Sequence, residues 1–595
     1  RYLSLIEGAI KPQWALLGAT FIAICSFLPL YLAPASVAEI VKPLFVVLAV
    51  SLGLSWILAL CQTTTFGNFI LKEAVPGGAM KDPYDTKLYH KFEKFLTLLI
   101  KRRFVTLTTV FVTLVLSLVI MAVMPQSFFP KMNKPYFRAD LVFPEGFSIH
   151  AVDQDVMKVE DYLKNHEKVK SYSVTLGGTP LRYYLASSSF GPKSNYANVM
   201  VETKDPEDAA EVEQQFYEHM TQNFPNIITR SALFALSPVP EAAIEIGFIG
   251  ENPDTLTALV ERAKKIARQC DMVTDIRSNW GDKVPVWKPM FSQQKGLRLG
   301  ITRQQVANSF RTATNGLPLG EYREGDVSLP ILLKDEDVEK MNLNDVKSVP
   351  VFSTKGNSVK VEQVIDNFAL GYDYNVVRRF NRERCMMMQC EPKRGANTMA
   401  AFKQVLTAVQ EQMQLPEGYK MKYFGEQETQ DVSNAALAKN IPLTFLLIYV
   451  VLLFLFPSNY RKPVLIMLML PLVFIGVVWG LLLFGKSLDF FAILGLLGLI
   501  GMNIKNAIVL VDEIGLQLKD GKGAVPAVVE ATKTRIVPVT MASGTTILGM
   551  LPLLGDAMFA GMAATIMGGL FVSTVLTIFV LPVTYCIFFK IRADR

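Results

Sequence analysis

Long apolar runs divide the chain into two membrane regions separated by a polar region. Eight runs approach or exceed the roughly 20 residues that a hydrocarbon core of about 30 Å requires, and the run at 440–456 is the shortest. They cover residues 14–33, 43–65, 104–124, 440–456, 463–484, 490–515, 536–555 and 561–589. The predicted order is therefore three spans, a large soluble region at 125–434, and five spans.

Basic residues lie mainly on one side of these spans. The 66–103 connection ends in Lys101, Arg102 and Arg103 and is rich in lysine, whereas the opposite short loops hold only Lys42 and Lys486. Because short cytoplasmic loops carry the excess of Lys and Arg, the 66–103 connection is predicted to be cytoplasmic and 125–434 extracytoplasmic.

Within the soluble region the hydrophobic period alternates between two and 3.6 residues, which predicts strands and helices in turn. The order strand–helix–strand, repeated once, is typical of a ferredoxin-like βαβ–βαβ unit, and it occurs twice. The first unit has strands at 136–147, 169–176, 197–203 and 227–236 and helices at 150–165 and 206–223; the second has strands at 243–249, 273–278, 384–391 and 420–424 and helices at 252–269 and 397–414. An insertion at 283–375, far longer than an ordinary loop, separates the halves of the second unit.

The membrane regions contain an internal repeat. Glu7 and the segment Phe27–Leu30 match Glu530 and the segment Met550–Leu553 at one common offset of 523 residues. Both segments are predicted to run from the cytoplasm outward, so this is a parallel repeat of the kind found in transporters. Chance similarity between apolar helices is the alternative.

Lys505 is the most informative single residue, because it lies near the middle of the span at 490–515. A lysine at that depth is costly unless it faces a protein interior or water, and its side chain is too short to reach the bilayer surface. It needs a carboxylate nearby to stay charged, but Asp512 lies about 10.5 Å away along the helix. The chain begins with Arg1 and no signal peptide precedes its first span, so we interpret it as a fragment. The repeat offset places the equivalent of Lys505 upstream of Arg1, where we expect the acidic partner.

The span that follows carries three weaker candidates, of which Thr540 and Ser543 could line a polar path. Arg535 lies at the cytoplasmic start of the next span, although basic residues are common at that boundary. Thr540 and Ser543 lie inside the same span, where hydroxyl groups usually bond to their own helix backbone. The Gly495–Gly501 stripe is expected to allow close helix packing.

In the soluble region, the loop from Gly177 to Asn195 carries Tyr183, Tyr184 and Phe190. Aromatic side chains on a loop suit apolar ligands of varied shape, and packing beneath the loop is the alternative.

Composition excludes several classes of function. The chain is 51% hydrophobic and 19% charged, with a net charge of only +7, which argues against a soluble protein and against nucleic acid as a partner. Its six cysteines form no metal or disulfide pattern, and the Cys385–Cys390 run, rich in Met, is favoured as a buried strand over a copper site. No nucleophile triad, phosphate-binding loop or zinc-protease motif is present, so neither an enzyme nor a cofactor is predicted.

Several motifs together give a resemblance to a known family. The segments Gly498–Val511, Arg535–Ser543 and Leu548–Pro552 resemble the tenth and eleventh spans of resistance–nodulation–division transporters. The segments Leu299–Thr302, Gly316–Asp326 and Val376–Arg382 resemble that family's docking and porter regions.

The resemblance implies an α+β membrane protein with eight transmembrane helices, porter units of the ferredoxin-like type outside the cytoplasm, and an inserted docking-type subdomain. The implied divisions are the last two spans of a first membrane repeat (1–70), a cytoplasmic connector (71–103), a span (104–124), a first porter-like subdomain (125–240), a second one in two parts (241–282 and 376–434), the docking-like insertion (283–375) and a five-helix membrane region (435–595).

The resemblance also assigns roles. A proton relay would involve Lys505, Asn506, Arg535 and a hydroxyl; the family's threonine aligns with Ala542, so Thr540 or Ser543 would replace it. A substrate path would involve Tyr183, Tyr184 and Phe190 of the loop, which matches the family's switch loop. Arg277, at the end of a strand in the second unit, is a weaker candidate for the entrance cleft.

The pair Lys505–Asn506 resembles the drug branch of the family. The implied function is proton-motive-force-driven export of apolar or amphiphilic compounds, with the protein as the inner-membrane pump of a tripartite system. Expected partners are small amphiphilic substrates, protons, membrane lipids, two further copies in a homotrimer, a periplasmic adaptor and an outer-membrane channel. A membrane-anchored binding or sensor protein, and metal or protein export within the same superfamily, are the alternatives.

Overall fold

A computed structural model describes residues 2–33, 36–70, 84, 86–127, 129, 132–182, 192–234, 241–335, 345–353, 356–457 and 459–591. The chain divides into two compact units. One contains Arg1–Asn279 with Arg379–Arg595, and the other contains Trp280–Arg378.

The first unit contains all of the long apolar helices. Within the described residues, eight helical segments are long and apolar enough to cross a membrane: Ile6–Leu32, Lys42–Ile70, Arg103–Val123, Glu426–Leu455, Arg461–Leu483, Phe490–Lys519, Ala524–Gly555 and Ala560–Phe588. They are built from helices α1 (Tyr2–Ser26), α2 (Leu28–Leu32), α3 (Ser36–Ile70), α5 (Arg103–Val123), α13 (Glu426–Leu455), α14 (Arg461–Leu468), α15 (Val473–Leu483), α16 (Phe490–Lys519), α17 (Ala524–Met550) and α18 (Ala560–Phe588). A shorter helix, α4 (Lys87–Lys101), precedes α5.

Several predicted spans differ in extent from the observed helices. The run at 440–456 is only the apolar end of α13, which begins at Glu426 with a polar stretch that hydropathy does not detect. Helix α17 likewise begins at Ala524, well before the predicted start at 536. The predicted span at 463–484 is broken between α14 and α15, where Pro471 lacks the backbone N–H that a continuous helix needs.

The first βαβ–βαβ unit forms a four-stranded antiparallel sheet in the order β2–β3–β1–β4. Its strands are β1 (Tyr136–Val142), β2 (Val169–Leu176), β3 (Tyr196–Thr203) and β4 (Ile228–Leu233), and helices α6 (Ile149–Lys164) and α7 (Ala209–Asn223) connect them. Alternate residues of β1, including Phe137 and Leu141, are buried with Val156 of α6 and Phe216 of α7. The period-two pattern therefore predicted the buried face of this sheet.

The second ferredoxin-like unit repeats the topology of the first. Strand β6 pairs with β14, β14 with β5 and β5 with β15, so the spatial order matches that of the first sheet. The elements are β5 (Ile244–Ile249), α8 (Pro253–Ala267), β6 (Val273–Ser278), β13 (Arg379–Phe380), β14 (Glu383–Pro392), α12 (Thr398–Gln412) and β15 (Lys420–Gly425). The predicted α+β class with two ferredoxin-like units is confirmed.

Strand β15 leads directly into membrane helix α13. Gly425 makes the turn with a φ of 82°, and a Cβ atom there would lie 2.7 Å from the carbonyl oxygen of Ala243. Only glycine fits this left-handed position so close to another backbone.

The separate unit Trp280–Arg378 contains the predicted insertion, which the sequence placed at 283–375. Its elements are β7 (Lys283–Phe291), α9 (Gln293–Leu299), α10 (Arg303–Thr312), β8 (Leu317–Glu324), β9 (Val327–Leu333), α11 (Asp345–Ser348), β10 (Pro350–Phe352), β11 (Ser358–Lys360) and β12 (Ile365–Tyr374). Three antiparallel pairs, β7–β12, β8–β9 and β10–β11, account for all of its strands among the described residues.

The predicted membrane repeat has a structural counterpart. Shifting α1 by the sequence offset of 523 residues places it inside the bounds of α17. Helix α1 is followed by the short helix α2, and α17 by a 3-10 helix at Leu551–Gly555, each with proline in its second position. The two segments therefore share one local structure.

Candidate functional site

Helix α16 carries the mid-membrane lysine, and glycines bring this helix close to its neighbours. Added Cβ atoms would lie 3.0 Å from the Phe27 ring at Gly498 and 2.8 Å from the Ala23 Cα at Gly501. The contacts involve Ala23 of α1 and Phe27, which directly follows α1, so α1 and α16 pack almost backbone to backbone. The interpretation of this glycine stripe as a packing surface is confirmed.

Lys505 follows Gly498 by seven residues, or about two helical turns, and so lies on the edge of α16 next to α1. Its side chain is exposed, unlike those of its neighbours Ile504 and Asn506. Among the described residues, Lys505 forms no ion pair or hydrogen bond. A cation at mid-membrane depth therefore faces outward from this part of the chain.

Beside Lys505, a chain of hydrogen bonds links three membrane helices. The Asn506 amide of α16 donates to the Ser543 hydroxyl of α17 at 3.4 Å, and the Thr574 hydroxyl of α18 lies 2.6 Å from the same oxygen. All three side chains are buried. Asn506 and Ser543, both predicted site residues, are thus brought together, whereas Thr574 was not predicted because hydroxyls are common in apolar helices.

Thr540, the alternative hydroxyl, has a different environment. It is exposed, and its hydroxyl donates to the backbone carbonyl of Ile536 at 2.6 Å. This is the local bond that hydroxyl side chains commonly make in membrane helices. The geometry therefore favours Ser543 over Thr540 as the hydroxyl that is hydrogen-bonded to α16.

Arg535 is paired with an acidic residue that the sequence did not single out. Its Nε lies 3.0 Å from the carboxylate of Glu513, which also accepts a bond from Gln517 at 2.8 Å. Glu513 is 9% exposed and lies eight residues beyond Lys505, about 12 Å along α16. The sequence could have pointed to this pair, because Glu513 lies in the polar end of its span and Arg535 lies across a short loop, at the start of the next span.

Arg277 lies at the end of β6 in a buried cluster of charges. It pairs with Asp275, donates to the backbone oxygen of Glu241 at 2.8 Å and lies 3.4 Å from the carboxylate of Glu391. Arg230 of the first sheet approaches the Asp275 carboxylate at 3.7 Å, so the cluster joins the two ferredoxin-like units. In this arrangement the guanidinium of Arg277 serves an ion-pair network, and its role at an entrance cleft stays a prediction.

Burial changes the protonation equilibria of this region. It raises the pKa of Asp275 and of Glu391, although the nearby Arg277 acts in the opposite direction on both. Burial also raises the pKa of Glu245, on the adjacent strand β5, to about 7. The Glu245 carboxylate accepts bonds from Gln389 at 2.8 Å and from the backbone N–H of Ala242 at 3.1 Å.

The remaining soluble candidates divide into two groups. Tyr183, Tyr184 and Phe190 lie outside the described residues, so their place in a substrate path stays a prediction. The Cys385–Cys390 run forms part of β14, with both cysteines, Met386 and Met388 almost fully buried. The described residues contain no group of three or more His, Cys, Asp or Glu side chains placed to hold a metal ion.

Comparison with known proteins identifies the family. A model of the AcrB/AcrD/AcrF family matches residues 5–589. The chain belongs to this family. The predicted resemblance to resistance–nodulation–division transporters is therefore confirmed at the level of the family.

Relatives of this family member carry names that differ in substrate. It is 22% identical to the swarming motility protein SwrC of Bacillus subtilis, aligned over 100% of the chain and 56% of that protein. It is 23% identical to the multidrug export protein AcrF of Escherichia coli (97% and 57%), and 27% identical over 59% of its length to the nickel and cobalt resistance protein CnrA of Cupriavidus metallidurans, covering 33% of that protein. The chain thus spans little more than half the length of the relatives that align with all of it.

A solved structure shares the fold. A crystal structure of a heavy metal efflux pump superposes with a TM-score of 0.77 at 16% identity, covering 99% of this chain and 59% of that one. At this identity the likeness supports the architecture alone.

Proposed function

We propose that this chain forms part of a proton-motive-force-driven exporter of apolar or amphiphilic compounds. The observation that carries the proposal is the outward-facing Lys505 next to the buried Asn506–Ser543–Thr574 chain. A lysine in mid-membrane is taken to be functional by default, because placing it there costs free energy and, without a partner, it adds nothing to the stability of the fold. Here that partner is a carboxylate outside the described residues.

Coupling would arise from a change in charge opposite Lys505. A deprotonated carboxylate attracts the ammonium group, and protonation of that carboxylate weakens the attraction. Because Asn506 is the next residue on α16, displacement of Lys505 also changes the geometry of the hydrogen bond to Ser543. Two arrangements of the three helices, selected by one proton, are sufficient to drive an alternating transporter.

The substrate class is inferred from one observation in the soluble region and one in the membrane region. In the Cys385–Cys390 run, the side chains that would suit a soft metal are mostly unavailable, because Cys385, Met386, Met388 and Cys390 are buried in the second sheet. The Lys505–Asn506 pair resembles the drug branch of the family. Metal export is the second candidate, because CnrA is named for resistance to nickel and cobalt.

The location and the assembly are inferred from the family, whose model matches residues 5–589. We place the protein in the bacterial inner membrane, with residues 125–434 in the periplasm. It would act as a homotrimer with a periplasmic adaptor and an outer-membrane channel.

Efflux measurements on a pair of lysine variants test the proposal. In cells that express the protein in its native context, Lys505→Ala should reduce uncoupler-sensitive efflux of an amphiphilic dye to the uncoupled level. Lys519→Ala, an exposed lysine in the last turn of the same helix, is the matched control and should retain efflux. Normal dye efflux in Lys505→Ala at equal protein levels would contradict proton coupling through this residue. Loss of nickel resistance, with no dye efflux in either protein, would support metal export instead.

A further inference from the structure

Helix α4 has a surface that the transport proposal does not use. Its apolar face is covered by the protein, since Phe92, Leu96 and Ile100 are buried. Phe92 contacts Phe579 of α18 at a ring separation of 5.6 Å. The helix ends at Lys101, and the membrane span α5 begins two residues later. Helix α4 therefore lies at the membrane boundary, packed against the helix bundle.

The side of α4 opposite the bundle is basic. At about 100° per residue, the side chains of Lys87, Lys91, Lys94 and Lys101 fall within a single arc of about 80°, which they share with one half-exposed apolar residue, Leu98. All four are exposed, and none forms an ion pair with another described residue. We call these four lysines the basic stripe.

The two edges between the basic stripe and the buried face differ in polarity. One edge carries Leu88 and Phe95, which are 71% and 48% exposed. The other edge carries Glu93 and Thr97. Such a helix fits the interface between the acyl chains and water, because its apolar edge can face the acyl chains while its polar edge faces the water.

We propose that α4 lies in the plane of the cytoplasmic membrane surface and binds anionic phospholipid headgroups through the basic stripe. With the buried face toward the bundle and the Leu88 edge toward the acyl chains, the stripe points sideways at the level of the lipid phosphates. Four lysines next to one another complement a negatively charged leaflet, and each contributes about fivefold to binding at such a surface. The inference is independent of what the protein exports.

Lipid binding by the intact protein in neutral detergent tests the proposal. The probe is phosphatidylglycerol with a fluorescent acyl chain, with the matching phosphatidylcholine as reference. The variant replaces all four lysines of the stripe by glutamine, which keeps helix propensity and length. We expect its preference for phosphatidylglycerol to fall at least about tenfold, which is less than the roughly 600-fold that four such contributions give at an anionic bilayer, because a neutral detergent micelle holds few anionic lipids. The preference of the unmodified protein should weaken with salt.

A matched control separates the stripe from net charge. It replaces four exposed lysines of the soluble region by glutamine: Lys164, Lys204, Lys265 and Lys403. This control should keep the preference, and glycerol 3-phosphate should not displace the lipid, because it lacks the acyl chains. An unchanged preference in the stripe variant, an equal loss in the control, or displacement by glycerol 3-phosphate would each overturn the assignment.

Discussion

Glu245 is predicted to make the stability of the second ferredoxin-like unit depend on pH. The residue lies on β5, which pairs with both β14 and β15, and it is only 7% exposed. Burial raises its pKa from an ordinary value of 4.5 to about 7. The folded protein therefore holds this proton over a pH range in which the unfolded chain has already released it.

The sign and size of the effect follow from this difference. Between pH 4.5 and about 7 the folded state binds one more proton at Glu245 than the unfolded state, so stability falls as the pH rises. At about 1.4 kcal/mol for each unit of pKa, the loss amounts to roughly 3 kcal/mol and is complete above about pH 7. Glu245→Gln removes the titrating group and keeps an acceptor for Gln389. The variant should be more stable than the unmodified protein by about that amount at pH 8, and about equally stable near pH 4.5.

Hydrogen exchange of the β5 backbone, corrected for the intrinsic pH dependence of exchange, measures this difference at pH 5 and pH 8. Because burial also raises the pKa of Asp275 and Glu391, the difference between the two proteins isolates Glu245. Glu417→Gln, at an exposed site just before β15, is the control and should respond to pH as the unmodified protein does. An unchanged pH response in Glu245→Gln would refute the reasoning.

Three further predictions concern other parts of the chain. Ser543→Ala should lower proton-coupled efflux and destabilise the bundle by about 0.6 kcal/mol. Thr540→Ala should leave efflux unchanged, because the Thr540 hydroxyl bonds only to the backbone of its own helix, and equal effects of the two variants would contradict the preference for Ser543. Gly568→Ala should lower the free energy of unfolding by about 3 kcal/mol, because the added Cβ would overlap the backbone of α15. Gly53→Ala, with open space around it, should be tolerated, and a Gly568→Ala variant as stable as the unmodified protein would show that α15 and α18 can move apart at little cost in free energy. Phe190→Ala should change the spectrum of exported dyes, and an identical spectrum would count against the loop as part of the substrate path.

Much of the fold could be predicted from the sequence, because burial imposes different periods on strands and helices. The bounds of β2 and β6 agree with the predicted strands to the residue. Strand β1 ends at Val142, five residues before the predicted end, because the apolar pattern continues into the turn before α6. Spans were least accurate where polar residues extend a helix beyond the membrane, as at the start of α13.

The site was predicted less completely, since it depends on contacts between helices. Lys505 could be recognised from its depth alone, and Ser543 from its resemblance to the relay region. Nothing in the sequence distinguished Thr574 from other hydroxyls of its span, and the pairing of Glu513 with Arg535 depends on how α16 and α17 pack. Ion pairs between different helices can be identified only from the three-dimensional structure.

The direct join between β15 and α13 makes the soluble unit and the membrane mechanically continuous. Helix α13 is 30 residues long, about 45 Å, and it meets the sheet through one glycine that has no space to rearrange. No linker separates β15, which ends at Gly425, from α13, which begins at Glu426, so a tilt of the helix would act directly on the strand. Because β15 is hydrogen-bonded to the central strand β5, the whole second sheet follows as one body. The geometry therefore suits α13 to act as a lever: a tilt of this helix would be passed through Gly425 to the second sheet.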